Sequence, residues 1–277
     1  MIKPAILRRQ ARGALFAALL VAALMARVQP AFAASSEVAD NKPVVVAMHY
    51  VIPEFIGGQK VRTPEAPDAT MAQALAAMLG ASDEMPLRAD AHVAERLQKG
   101  EADVALLSVP DGAAQLPEEI IALPTGYRSR PMAIMRTDTD IRSWEQLQGR
   151  TVCVAEGGLY IGKMAAQYGA IEQVYRAPAD SLLALRTGKC DAAVHDEALF
   201  RSLLKLPEWK KFSASLPPRD NMDLVFAVRR DNTAVLEAAQ KLVQGWRSEG
   251  YLKKLLKQRA NDIAFEVYLD QAVPDCH

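Results

Sequence analysis

TVCVAEGG, residues 151–158, reads as a β-strand that breaks into a glycine turn. The segments after this turn set the fold class. Tyr160 to Gln167 has a helical pattern, EQVYRA (172–177) a strand pattern, SLLALRTG (181–188) a helical one, CDAAVHD (190–196) a strand, and Glu197 to Leu204 a helix. Strands that alternate with short helices predict a parallel-core sheet covered by helices on both faces.

The same order occurs earlier in the chain. VVVAMHYV (44–51) is β-branched and compact, as a buried strand is. IPEFIGGQKVRTPEAPD (52–68) is a loop rich in Pro and Gly. In ATMAQALAAMLGA, the residues Met71, Ala74, Leu75, Met78 and Leu79 recur at helical spacing up to the stop at Gly80. A strand at Met85 to Arg88, a helix through Val93 and Leu97, and the strand ADVALLSV (102–109) complete a βαβαβ unit. Two extended segments, RPMAIMRTD (130–138) and DLVFAVRRD (223–231), are expected to join the two units. SWEQLQGR (143–150) reads as a short helix. Two closing helices are expected at Thr233 to Ser248 and Tyr251 to Lys257. The predicted class is α/β, with two lobes and a cleft, and ligands of such sheets sit at the carboxyl ends of the strands. The three-strand units are too short for a full dinucleotide fold.

The chain has 277 residues, no formal net charge, half its residues hydrophobic and 6% aromatic. That is a globular profile. Its charges are interspersed, which argues against nucleic acid as the main partner; Lys253, Lys254 and Lys257 read as the solvated face of a late helix. Residues 1–33 read as a secretory signal peptide. Lys3, Arg8, Arg9 and Arg12 precede the apolar run Gly13 to Met25, and Ala31 and Ala33 flank Phe32 as small residues before the cut. The apolar run is too short to span a bilayer, and no lipid-anchor cysteine stands at the cut. The expected location of the mature chain is the periplasm. There, three cysteines (Cys153, Cys190 and Cys276) allow one disulfide and one leftover. No C-x-x-C pair occurs, and His92, His195 and His277 stand alone, so neither a metal nor a cofactor is expected.

Three segments, 143–158, 182–199 and 224–255, resemble the second half of the extracellular solute-binding proteins of family 3, the type II periplasmic receptors of ABC transporters for polar amino acids and related solutes. The residues that carry the likeness are SWEQLQGRTVCVAEGG, LLALRTGKCDAAVHDEAL and LVFAVRRDNTAVLEAAQKLVQGWRSEGYLKKL. It extends over about Gly100 to Leu256. The resemblance implies a clamshell, with lobe one at 41–127 plus 222–277 and lobe two at 128–221. It implies a small-molecule solute held between the lobes, and closure that presents a joint surface to a membrane permease. It implies no covalent chemistry, and a monomer is expected.

The resemblance also implies site residues. Asp196 matches the aspartate that takes a ligand's ammonium group; the other role open to it, just before a helix, is that of an N-cap. Glu197 is expected to be solvated. Gly157 and Gly158 match the turn that opens a helix N-terminus to an anion, but Leu159 and Tyr160 stand where hydroxyl residues are usual. Tyr160 is then a candidate cleft aromatic. Ser108 matches a ligand-contacting corner. The arginine that clamps the ligand carboxylate in the family is missing between Ser108 and Tyr127; Arg128 and Arg130 are either its replacement or surface residues at the hinge. Either His49 or Tyr50 matches the aromatic at the cleft mouth, and alternation along the strand turns the other into the core.

Cys153 and Cys190 fall on strands that a unit of this type places side by side, as in members of the family with similar cysteines. At about 4.8 Å between strands, a Cys153–Cys190 disulfide is expected, leaving Cys276 over.

The leading functional expectation is a receptor for a small polar or anionic solute, serving an ABC importer. A second is an accessory protein of a periplasmic quinoprotein dehydrogenase; such proteins share the fold, and the segment YRS at Tyr127 to Ser129 is reminiscent of them. A third is a dehydratase-like enzyme of the same fold, with Asp196, Glu156 or His49 as acid or base.

Overall fold

A computed structural model of the chain describes residues 42–81, 83–110 and 116–271. The signal-peptide residues and Cys276 lie outside these. Two five-stranded sheets organise the rest.

The first sheet has the order β2-β1-β3-β10-β4. Its strands are β1 (Val44–Met48), β2 (Glu84–Arg88), β3 (Val104–Pro110), β4 (Ile120–Ser129) and β10 (Met222–Arg229). β1 runs parallel to β2 and β3, and β10 runs antiparallel to β3 and β4. Helices α1 (Asp68–Met78) and α6 (Thr233–Glu249) cover one face, where Met71, Leu75, Phe226 and Trp246 are buried together. Helix α2 (Val93–Lys99) covers the other through Leu97. In α6, Val235, Ala239, Leu242, Val243 and Trp246 form the single apolar stripe that docks it.

The second sheet has the order β7-β6-β8-β5-β9. It is built from β5 (Pro131–Met135), β6 (Thr151–Ala155), β7 (Ile171–Tyr175), β8 (Ala192–Asp196) and β9 (Ala214–Leu216). Helices α4 (Pro178–Arg186) and α5 (Glu197–Leu203) pack on one face, and a 3-10 turn at Trp144–Leu147 with the short α3 (Lys163–Tyr168) on the other. β6 lies directly beside β8, Cys153 opposite Ala193. The Cys153–Cys190 disulfide forms between buried residues whose Cα atoms are 5.8 Å apart.

Besides the short β9, for which the sequence reading has no strand, the structure departs from expectation in three places. First, β4 has no counterpart among the expected strands, because Pro124 and Gly126 interrupt its apolar pattern. It is a ten-residue strand that makes one edge of the first sheet, and the chain then passes to the second sheet at Arg130. Second, the helix expected from Tyr160 starts only at Lys163; residues 156–157 and 159–162 form turns, with Gly162 left-handed at φ +79°. Third, the last helix, α7, runs from Tyr251 to Leu269 rather than stopping at Lys257. Its first turns lie against α6. Further along, Ala260, Ile263, Ala264 and Val267 join the core of the second sheet with residues of α4 and α5. The segment 222–277 therefore does not belong to the first sheet alone.

Candidate functional site

The carboxyl ends of β3, β4, β6 and β8 face one another across the seam between the sheets. A cavity of about 20 Å³ lies there, lined by Glu65, Asp68, Ser108, Tyr127, Tyr160 and Asp196 together with His49, Ser129 and the turn Gly157–Gly158–Leu159. It has room for about one water molecule.

Several local features aim these side chains. In β4, the pairing with β10 slips between Asp223 and Val225, and the buried Thr125 hydroxyl donates to the Leu224 carbonyl while accepting from the Tyr127 amide. A bulge of this kind redirects the residue after it. Tyr127 points into the seam and donates to Asp196 Oδ2 at 2.8 Å. Asp196 ends β8 and caps α5, its Oδ1 accepting from the Ala198 amide at 2.8 Å. The capping role is thus observed, and both carboxylate oxygens are engaged. Burial pushes the Asp196 carboxyl up, and the nearby Glu65 charge pushes the same way, against the pull of the Ala198 amide, Tyr127 and Ser129.

The centre of the site is a residue with no motif to mark it in the sequence. Glu65 lies in the Pro-bounded segment PEAP (64–67), and its side chain is buried in the seam. Tyr160 donates its phenol to Glu65 Oε1, the Asp196 amide reaches the same oxygen at 3.3 Å, and His195 Nδ1 stands 2.7 Å from Oε2. Burial alone would raise the Glu65 carboxyl, but the His195 ring and these hydrogen bonds outweigh it and hold the group below the usual carboxylate range. An ionised carboxylate only accepts hydrogen bonds, so with Glu65 ionised the contact at Oε2 has His195 Nδ1 as its donor. On the far side of the ring, Nε2 meets the Ser181 hydroxyl of α4. Two buried carboxyls thus lie together with opposite shifts, Glu65 down and Asp196 up.

Glu65 is fixed by its backbone as well. Arg259 of α7 donates to the carbonyls of Pro64 and Glu65. Thr63 bonds Glu266 of α7 through its amide and hydroxyl, at 2.9 and 2.7 Å, and Arg62 pairs with Asp180 of α4 and with Asp270. The segment 60–68 is a strap tied to both α7 and the second sheet's helices.

The expected site residues divide. Ser108, Gly157, Gly158, Tyr160 and Asp196 do line the cavity, and His49 reaches its solvent-exposed rim. Tyr50 does not line it; its ring covers Gly157, and its phenol donates to Glu156 at 3.0 Å across the seam. The helix N-terminus expected to receive an anion does not open into the cleft. The amides of Gly162 and Ala165, at the start of the six-residue α3, are already bonded to the Glu172 carboxylate of β7 at 2.7 and 3.0 Å. Arg128 is not a clamp in the cleft; at the strand edge it forks onto Asp223 at 2.7 and 3.2 Å. Arg130 pairs with Glu197, which is buried between Arg130 and Arg201 rather than solvated. Glu65, Tyr127 and His195 are not expected from the sequence as a group. The one signal for Glu65 is a lone carboxylate held between two prolines.

No protein-family profile matches this sequence, and no curated protein matches it either. Solved structures do resemble the fold. A Bacillus subtilis protein superposes with a TM-score of 0.55 at 21% identity, covering 80% of this chain and 92% of that one. A mutant of ArgBP from T. maritima gives 0.51 at 19% identity over 79% and 95% of the two chains. An amino acid ABC transporter substrate-binding protein from Streptococcus pneumoniae, bound to L-arginine, gives 0.51 at 19% identity over 80% and 95%. The chain has the two-lobed α/β fold of these structures.

Proposed function

We propose that the chain is an exported solute receptor that takes a small polar or anionic molecule into the seam between its sheets and hands it to a membrane permease. The observation that carries this reading is the convergence of Ser108, Tyr127, Gly158, Tyr160 and Asp196 from the strand ends of both sheets on one cavity, where open α/β sheets hold their ligands. The arginine-binding structures of the same fold lend it support. The roles of 41–127 with 222–277 and of 128–221 as opposing lobes belong to the same reading, with the qualification that α7 bridges them.

The solute is not a free α-amino acid bound in the usual manner. Asp196, the ammonium acceptor in that manner, is committed to Tyr127 and the Ala198 amide, and no arginine among the described residues lines the cavity. Thermal unfolding of the mature chain against a panel of small carboxylates, polyols and amino acids tests the reading. A receptor is stabilised saturably by one chemical class. No response to any class at tens of millimolar removes it.

The small volume of the cavity favours a second reading, the accessory protein of a periplasmic dehydrogenase, in which the seam is held shut by Glu65 and the outer surface does the work. That protein would answer no solute and would co-purify with a dehydrogenase from its native host.

A further inference from the structure

We infer that Tyr160, His195 and the Asp196 amide form a carboxylate seat, that Glu65 is its tethered occupant, and that the receptor's solute carries a carboxylate that displaces Glu65. The class of solute rests on the receptor reading above; the seat itself does not.

Three donors converge on one carboxylate: a phenol, a ring N–H and a backbone amide, all from residues of the second sheet's lobe. The donors are buried and rigidly backed. Tyr160 is wedged beneath Gly158, and His195 is held by Ser181 from behind and packed edge-on against Phe200 at 5.5 Å. Such a set recognises a carboxylate by charge and by direction. Glu65 is not part of that sheet or its helices: it arrives on the strap that leads from β1 to α1.

Occupation by a tethered group changes the affinity for a free one. A free carboxylate binds only when Glu65 is out, so its apparent dissociation constant is raised by the reciprocal of the fraction of open seats. The ties that keep Glu65 in are the Arg259 bonds to its backbone and the Thr63–Glu266 and Arg62–Asp180 contacts. They set that fraction, and therefore the solute concentration to which the protein responds.

The experiment removes the occupant and supplies a replacement. Glu65→Ala is melted in increasing acetate or propionate, with chloride and acetamide as matched controls. The expected result is a saturable rise in the unfolding midpoint with the carboxylates alone, at concentrations at least about tenfold below any that affect the wild type. Adding His195→Gln to the variant should abolish the response. A folded Glu65→Ala that answers carboxylates no better than chloride overturns the seat. Should Glu65→Ala fail to fold, Glu65→Gln decides: its neutral amide fills the space but competes weakly, so it must respond to carboxylates at lower concentration than the wild type, and an equal response overturns the inference. The two readings fail separately. A wild type deaf to every solute sinks the receptor and leaves the acetate response of Glu65→Ala to stand or fall by itself.

Discussion

Tyr127 and Asp196 come from different sheets, yet the tyrosine phenol donates to Asp196 Oδ2 at 2.8 Å with both residues buried. The bond ties the end of β4 to the end of β8 across the seam. Burial raises the Tyr127 phenol well above its ordinary value, and the Asp196 charge adds to that, so the group stays a donor at any physiological pH. Tyr127→Phe keeps the ring and deletes the donor. The expected cost is about 1–3 kcal/mol, the range for a buried acceptor left without its partner. Urea denaturation measures it. Combining the variant with Asp196→Asn should show a coupling above about 0.5 kcal/mol; strict additivity would mean the bond does not join the lobes.

Asp68, the first residue of α1, is buried with its carboxyl pushed up to about 6, chiefly by burial and against the pull of Arg259. An acid whose folded value exceeds its unfolded one gives stability at low pH and loses it as pH rises, here between about 4 and about 6. Above that window its ionisation costs the fold up to roughly 3 kcal/mol. Asp68→Asn mimics the protonated form. It should be more stable than the wild type at pH 7, and the gain should vanish near pH 4. Glu65 has the opposite sign, its contribution being present at neutral pH and lost in acid. A gain from Asp68→Asn that is the same at both pH values would remove the claim that Asp68 is ionised at a cost.

The Cys153–Cys190 bond closes a loop of 37 residues in the second lobe. In the chain-entropy account it stabilises by about 3–4 kcal/mol, less any strain. Replacing both cysteines by alanine should lower the denaturation midpoint without changing the sheet order. A loss under about 1 kcal/mol would show that the reduced, unfolded chain remains constrained there.

The pairing of Cys153 with Cys190 is legible in the sequence because it depends on strand order, and strand order follows from the βαβ rhythm. The extent of α7 is not. Its first half is rich in lysine and reads as a solvated end, whereas the apolar stripe Ala260, Ile263, Ala264 and Val267 is meaningful only beside the second sheet's helices. Glu65 is hidden for a similar reason: a loop carboxylate has no periodicity, and its partners Tyr160 and His195 lie 95 and 130 residues away. The legible site residues are those at strand ends, where topology fixes position; for Arg128 and Arg130 the sequence leaves a clamp and a surface place equally open, and their pairing with Asp223 and Glu197 decides it only in three dimensions. If α7 is a structural bridge, Ile263→Ala should cost about 2–5 kcal/mol, as a fully buried large-to-small change does. A cost under about 1 kcal/mol, below that range, would return α7 to the surface.

Gly158, the last residue of TVCVAEGG, decides whether the turn after β6 serves an anion or a ring. A Cβ built there would stand 2.6 Å from Tyr160 Cε2 and 3.0 Å from the Ala155 carbonyl. The glycine is therefore required by the close approach of Tyr160, whose phenol holds Glu65. Gly158→Ala must push the ring aside, at about 1–3 kcal/mol for overpacking, and should weaken the grip on Glu65 as it does so. Gly57, in a loop where an added Cβ meets nothing within 4 Å, is the control, and Gly57→Ala should be close to neutral. Hydrogen exchange across residues 60–68 reads the second effect: Gly158→Ala should speed exchange in the strap while Gly57→Ala does not. Equal protection in the two variants would mean that the ring can yield without loosening Glu65.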